Sequence, residues 1–276
     1  AIGRRPRSRA EMTKTGVRVD RAAGAAYAVV WLEREPVNSM TLEFWRALAD
    51  ALTALENDAT VHGVIFASGL RRSVFTAGND IAELYAPKTT WKRYREFWLT
   101  QTTFLSRLLS TRLATVCAIR GACPAGGCVV ALCCDYRLQT TSGSLGLNEV
   151  ALGIAVPKYW AELFLYRCID RVKGESLLQR GVLVRPLEAQ SLGLIDEVVG
   201  EGALMSAAAS AMERYLKLPS SARATTKRTI RSHFSESWAA YAEEEAKGGW
   251  KMLNEPHIVK ALGGVLMKLS GGKAKL

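Results

Sequence analysis

Two features of this 276-residue chain could do chemistry together. The first is Gly121-Ala-Cys-Pro-Ala-Gly-Gly127, a turn-rich segment that runs into the apolar stretch Cys128–Cys134. Glycines ahead of an apolar run predict a tight loop feeding the N-terminus of a buried helix. Such an end offers unpaired backbone N–H groups and a positive dipole, which suit a developing anion. The second is Glu149, a carboxylate among Leu147, Val150, Ala151 and Leu152. Apolar surroundings raise a carboxyl pKa and poise it as a base. An anion site and one base are the minimum needed to move a proton beside a carbonyl. A second glycine turn, Ala77-Gly78, follows an earlier strand-like run and can aim another N–H at the same oxygen.

The elements that must position these groups are legible in the hydrophobic pattern. Residues 17–32 read as a strand pair broken at Gly24, and Gly63–Ala67 and Ala114–Ile119 as buried strands. Thr41 is placed to cap a helix carrying Leu42, Trp45, Leu48, Leu52 and Leu55 on one face. A short helix is expected near Ile81–Tyr85. A long one is expected over 90–109, with Trp91, Tyr94, Trp98, Leu105 and Leu109 as a stripe read as core or subunit interface rather than pocket. Strands alternating with helices argue for β-α-β crossovers. Beyond Pro157 the pattern turns helical, over 158–169, 173–180, 200–216, 220–233 and 235–253, with a short strand in Gly193–Val199. The expected organisation is a basic N-terminus (1–16), an α/β core (17–200) and a helical C-terminal region (201–276).

Composition narrows the classes of function. A hydrophobic fraction of 49% with 23% charged residues is that of a globular domain, and no apolar run is long enough for a membrane span. The net charge of +11 admits an anionic partner. The basic residues are spread rather than striped, so nucleic acid is not the expected partner. Six cysteines include no C-x-x-C pair and have no histidine nearby, which argues against zinc. They read as buried free thiols in a reducing compartment. His62, His233 and His257 match no motif. Arg4, Arg5, Arg7 and Arg9 resemble the remnant of a mitochondrial leader, and the chain opens without Met, so a longer leader is expected. The terminal Ala274-Lys275-Leu276 is close to a peroxisomal signal.

Phe75-Thr-Ala-Gly-Asn-Asp-Ile81, the glycine segment through Cys128, Cys134-Asp-Tyr-Arg137 and Gly146-Leu-Asn-Glu-Val-Ala-Leu-Gly153 together resemble the enoyl-CoA hydratase/isomerase (crotonase) superfamily. Pro36-Val-Asn-Ser-Met40, Pro-Ala-Gly-Gly-Cys and Leu-Asn-Glu are more narrowly similar to the mitochondrial-type Δ3,Δ2-enoyl-CoA isomerases. The resemblance implies an α/β spiral of β-β-α units, a C-terminal trimerisation region (a homotrimer, or a dimer of trimers) and an acyl-CoA thioester substrate. Coenzyme A is then part of the substrate, and no separate cofactor is expected. It also implies that Ala77 and Gly126 donate their N–H groups to the thioester oxygen and that Glu149 is the base. Asn148 would touch substrate, and Ala77, Gly78, Asn79, Asp80 and Ile81 would line the adenine and pantetheine path. Hydratases of this superfamily carry a second Glu where this chain has Val129. Holding and activating a water needs two carboxylates, whereas moving one proton from C2 to C4 needs one. Val129 therefore favours an isomerase acting in β-oxidation of unsaturated fatty acids, in mitochondria or peroxisomes. Hydratase or dienoyl-CoA isomerase activity, or a non-catalytic RNA-binding homologue, are the alternatives.

Overall fold

The structure, a computed structural model, describes residues 15–21 and 24–271, without the side chains of residues 270 and 271. The arginines at 4–9 and the Ala274–Leu276 tripeptide, read as possible addresses, lie outside the described residues. Among the described residues, six strands form one sheet in chain order: β1 (Val17–Asp20), β2 (Tyr27–Leu32), β3 (Gly63–Ser68), β4 (Ala114–Pro124), β5 (Tyr136–Gly146) and β6 (Glu197–Val199). β1 pairs antiparallel with β2, opposing Val17 to Leu32. All later pairs are parallel. Parallel strands need covered faces and crossovers between them, and the buried runs supply both.

Alternation sorts the strand residues onto two faces. Val64 and Phe66 of β3, with Cys117 and Ile119 of β4, join the larger core. This core is filled by α1 (Leu42–Asn57), α3 (Trp91–Ser110) and α4 (Gly126–Cys133). Ile65 and Ala67, with Val116 and Ala118, face the other way onto α8 (Leu204–Leu216), which buries Leu204, Ala208, Ala211 and Met212. Thr41 caps α1 by accepting from the Phe44 N–H, and the expected face of that helix is buried. All six cysteines are buried and free.

Three elements differ from expectation. β5 continues through Thr140, Thr141, Ser142 and Gly143, a polar stretch with no hydrophobic alternation to announce it. Its register comes instead from parallel pairing with β4, which shifts between Ile119 and Gly121. The two helices expected over 220–253 are one, α9 (Ser220–Leu253), 34 residues long and so about 50 Å. It stays continuous because Lys227, Ser235, Trp238, Ala242, Ala246 and Leu253 bury one narrow stripe, and Ser235 Oγ donates to the Ser106 carbonyl of α3 at 2.6 Å. A last helix, α10 (Pro256–Gly271), lies beyond the last of the expected helices. Proline suits a first helical turn because its missing N–H is not needed there. The connecting helices are α2 (Ile81–Leu84), α5 (Lys158–Arg167), α6 (Arg171–Arg180) and α7 (Pro186–Ser191). Among the described residues, no helix is long and apolar enough to cross a membrane.

Candidate active site

The two glycine turns pack against each other. A Cβ on Gly127 would lie 2.1 Å from Thr76 Cγ2, so only glycine fits where α4 starts beneath the Thr76 turn. Gly78 has φ +83, and a Cβ there would press to 2.9 Å from Ala125 Cβ. Ala125 takes φ 51 and ψ −126 as it enters α4, a conformation that L-residues rarely adopt and that is often stored at functional sites. α4 is apolar all round and wholly buried, so its N-terminal N–H groups open away from water.

The donor expected at Ala77 is already committed. Its N–H donates to the Val37 carbonyl at 2.9 Å, and the Gly78 N–H donates to Thr76 Oγ1 at 2.9 Å. The next residue differs. Met40 N–H donates to the Gly78 carbonyl and Asp80 N–H to the Met40 carbonyl, so one edge of the extended segment is used up on Met40. Alternate residues of an extended chain direct their N–H groups to opposite sides. The Asn79 N–H therefore faces the edge where Ala125 and Gly126 lie, and among the described residues neither Asn79 N–H nor Gly126 N–H meets an acceptor. The free pair is thus Asn79 and Gly126, two residues along from the expected Ala77. The Asn79 side chain is pinned, with Oδ1 accepting from Trp45 Nε1 at 3.1 Å and Nδ2 donating to Gln101 Oε1 at 2.9 Å. This anchoring keeps the backbone N–H in place.

Glu149 opens a short 3-10 helix, Glu149–Leu152, directly after β5. It is only 4% exposed, and neither carboxylate oxygen has a hydrogen-bond partner. Burial pushes its pKa up to about 7, slightly offset by its own backbone N–H, which is too poorly placed to form a hydrogen bond. Leu152 and Ile154 line the cavity with it, whereas Val150, expected beside it, is 42% exposed. Val129 is wholly buried in the core.

A cavity of about 1210 Å³ joins these groups. Ala77, Asn79, Asp80, Ile81, Asn148 and Glu149 line it, while Gly78 and Gly126 are buried beneath. Asp80 caps α2 by accepting from Ala82 N–H at 3.0 Å and lies 3.8 Å from Arg34. Several lining residues were not singled out from the sequence. Arg34, Arg72 and Lys88 bring cations, and α9 and α10 bring Met252 and Gly263. Tyr94 and Trp98 of the aromatic stripe belong both to the core and to the cavity wall. No local pattern separates those two roles, because a residue is assigned to a wall only once the opposite wall is known.

The profile of the enoyl-CoA hydratase/isomerase family matches residues 22–266. The chain belongs to the enoyl-CoA hydratase/isomerase family. Among its relatives, the human "Enoyl-CoA delta isomerase 1, mitochondrial" is 37% identical over 264 residues, covering 93% of this chain and 84% of the relative. The mouse protein of the same name is 35% identical over 93% of this chain and 88% of its own length. The crystal structure of human mitochondrial Δ3-Δ2-enoyl-CoA isomerase superposes with a TM-score of 0.88 at 36% identity, covering 94% of this chain and 99% of that one. An enoyl-CoA hydratase from Bacillus halodurans has a TM-score of 0.81 at 23% identity over 90% of this chain and 99% of its own, a likeness of fold. The crotonase-like α/β architecture read from the sequence is therefore the fold of this family member.

Proposed function

We propose that this family member is a Δ3,Δ2-enoyl-CoA isomerase that converts 3-enoyl-CoA to 2-trans-enoyl-CoA in fatty acid oxidation. The observation that carries this reading is Glu149: a carboxylate, buried and unpartnered, with its pKa near 7, in the cavity that Asn79 lines and beneath which Gly126 lies, the two residues with unbonded N–H groups. The names of the relatives at 35–37% identity support the substrate class.

The thioester oxygen is held by the N–H groups of Asn79 and Gly126. Ionised Glu149 takes a proton from C2, and the electron pair delocalises through the C3–C4 double bond and the carbonyl onto that oxygen. Loss of one such donor typically raises a barrier by about 3 kcal/mol. The dienolate collapses by accepting the same proton from Glu149 at C4, leaving the double bond between C2 and C3. No atom enters or leaves, and no second carboxylate is needed. The apolar wall around Glu149 keeps its pKa close to neutrality, so it gives and takes the proton with little penalty. Asn148 touches substrate beside the base, and Asn79, Asp80 and Ile81 flank the pantetheine path. Arg34, Arg72 and Lys88 offer the charges for the coenzyme A phosphates. A homotrimer is what the family resemblance implies, and light scattering tests it. The names of the relatives support a mitochondrial location.

The test is turnover of 3-enoyl-CoA substrates followed by chromatography. The expected product is the 2-trans-enoyl thioester. Formation of the 3-hydroxy thioester from 2-enoyl-CoA at a comparable rate would make the protein a hydratase instead. Tight, salt-steep RNA binding with no turnover of either thioester would remove the enzyme reading altogether.

A further inference from the structure

α9 presents Tyr241, Glu245, Gly248, Gly249 and Met252 to the cavity at helical spacing. A glycine in a helix interior destabilises it relative to alanine, so two in succession call for a reason. Gly249 has one in packing: a Cβ there would lie 2.3 Å from Tyr94 Oη. Gly248 has none of that kind. A Cβ built on it meets nothing within 4 Å, and its φ is not in the left-handed region. What its missing side chain preserves is empty space, and that space belongs to the cavity that holds Glu149.

The branch of the cavity beside this glycine pair is lined with aromatic side chains. Trp98 of α3 and Trp160 of α5 stack with centroids 6.1 Å apart, and both line the cavity with Tyr94. Of the two acids that α9 brings to the cavity, Glu244 is exposed, and Glu245 accepts from the Lys158 backbone N–H at 2.9 Å and from Trp98 Nε1 at 3.3 Å. Tyr94, Trp98 and Trp160 give this branch an apolar surface, which suits a hydrocarbon chain.

We propose that Gly248 is a specificity-determining residue, keeping this branch open so that the enzyme accepts long, straight acyl chains. The proposal rests on the isomerase reading for the identity of the acyl group. The hydrocarbon tail of a thioester whose C2 lies at Glu149 passes between Trp98 and the Gly248 face. Each methylene that leaves water there adds to binding, and a side chain at 248 takes that room away.

The test compares wild type with Gly248→Leu and Gly248→Ala on 3-enoyl-CoA substrates from six to fourteen carbons. Calorimetric binding of saturated hexanoyl-CoA and dodecanoyl-CoA runs in parallel. Gly248→Leu is expected to lower kcat/KM on the long substrates by at least about tenfold and to change the six-carbon substrate by less than about twofold. Gly248→Ala is expected to fall between. Melting temperatures should hold or rise, since both substitutions favour the helix. An unchanged chain-length profile, an equal loss at every length, or a wild type confined to six carbons overturns the proposal. Chain-length-selective loss of binding without turnover of any 3-enoyl-CoA would keep this role for Gly248 and sink the isomerase reading instead.

Discussion

Two buried carboxylates flank α4 and meet opposite fates. Asp135, just past its C-terminal end, has a side chain 7% exposed and is ringed by cations: Lys227 Nζ at 2.6 Å and Arg231 at 2.8 Å, both from α9. Burial alone would push its carboxyl up, but the charges of Lys227 and Arg231 outweigh that and hold it below the usual range. Glu149, in the cavity at the other end, is as deeply buried and has no cation beside it, so burial outweighs the opposing pull of its own backbone N–H. The same physical cost is cancelled at one site and left standing at the other. A carboxylate fixed in its charged form can only hold elements together. One left near the point of protonation can give and accept a proton.

The sharpest break of this comparison is Glu149→Gln, which should lower kcat by about 10³–10⁴-fold, measured under saturating 3-enoyl-CoA, while acyl-CoA binding persists. Asp135→Asn should do the reverse. It leaves Lys227 and Arg231 buried without their counter-charge and should cost about 3–5 kcal/mol in denaturant unfolding, with little effect on kcat in the folded fraction. The third test is stability against pH. Glu149 titrates at 4.5 unfolded and about 7 folded, so between those values the folded state holds more protons. Raising pH through that window therefore lowers stability, by on the order of 3 kcal/mol in all from the size of the shift. Glu149→Gln should flatten that slope, unfolding later than wild type at pH 8 but not at pH 4. The smallest effect is on the rate profile: kcat/KM should rise with pH as Glu149 ionises and level off above about 7. A profile flat from pH 5 to 9 would count against Glu149 as the base.

Much of this was legible beforehand because the signals were local. The Gly126-Gly127 turn and the Thr41 cap each follow from a few adjacent residues. What was missed depends on partners distant in sequence. Ala77 and Asn79 sit in the same turn, and only the Val37 and Met40 pairings decide which N–H is left over. β5 is specified by β4 rather than by its own Thr and Ser residues. α9 runs through the break expected near residue 234 because α3 lies alongside it, with Ser235 bonded to Ser106.

α9 also bears on how this protein could be divided. Its first half supplies the charges that neutralise Asp135, and its second half forms a wall of the cavity through Tyr241 and Met252. A fragment ending before Ser220 would lose both at once, although every residue assigned a part in the proton transfer would still be present. Catalytic residues and the means of keeping them folded are here not separable modules. Shortening or recombining this chain is constrained by a helix that takes no part in the chemistry.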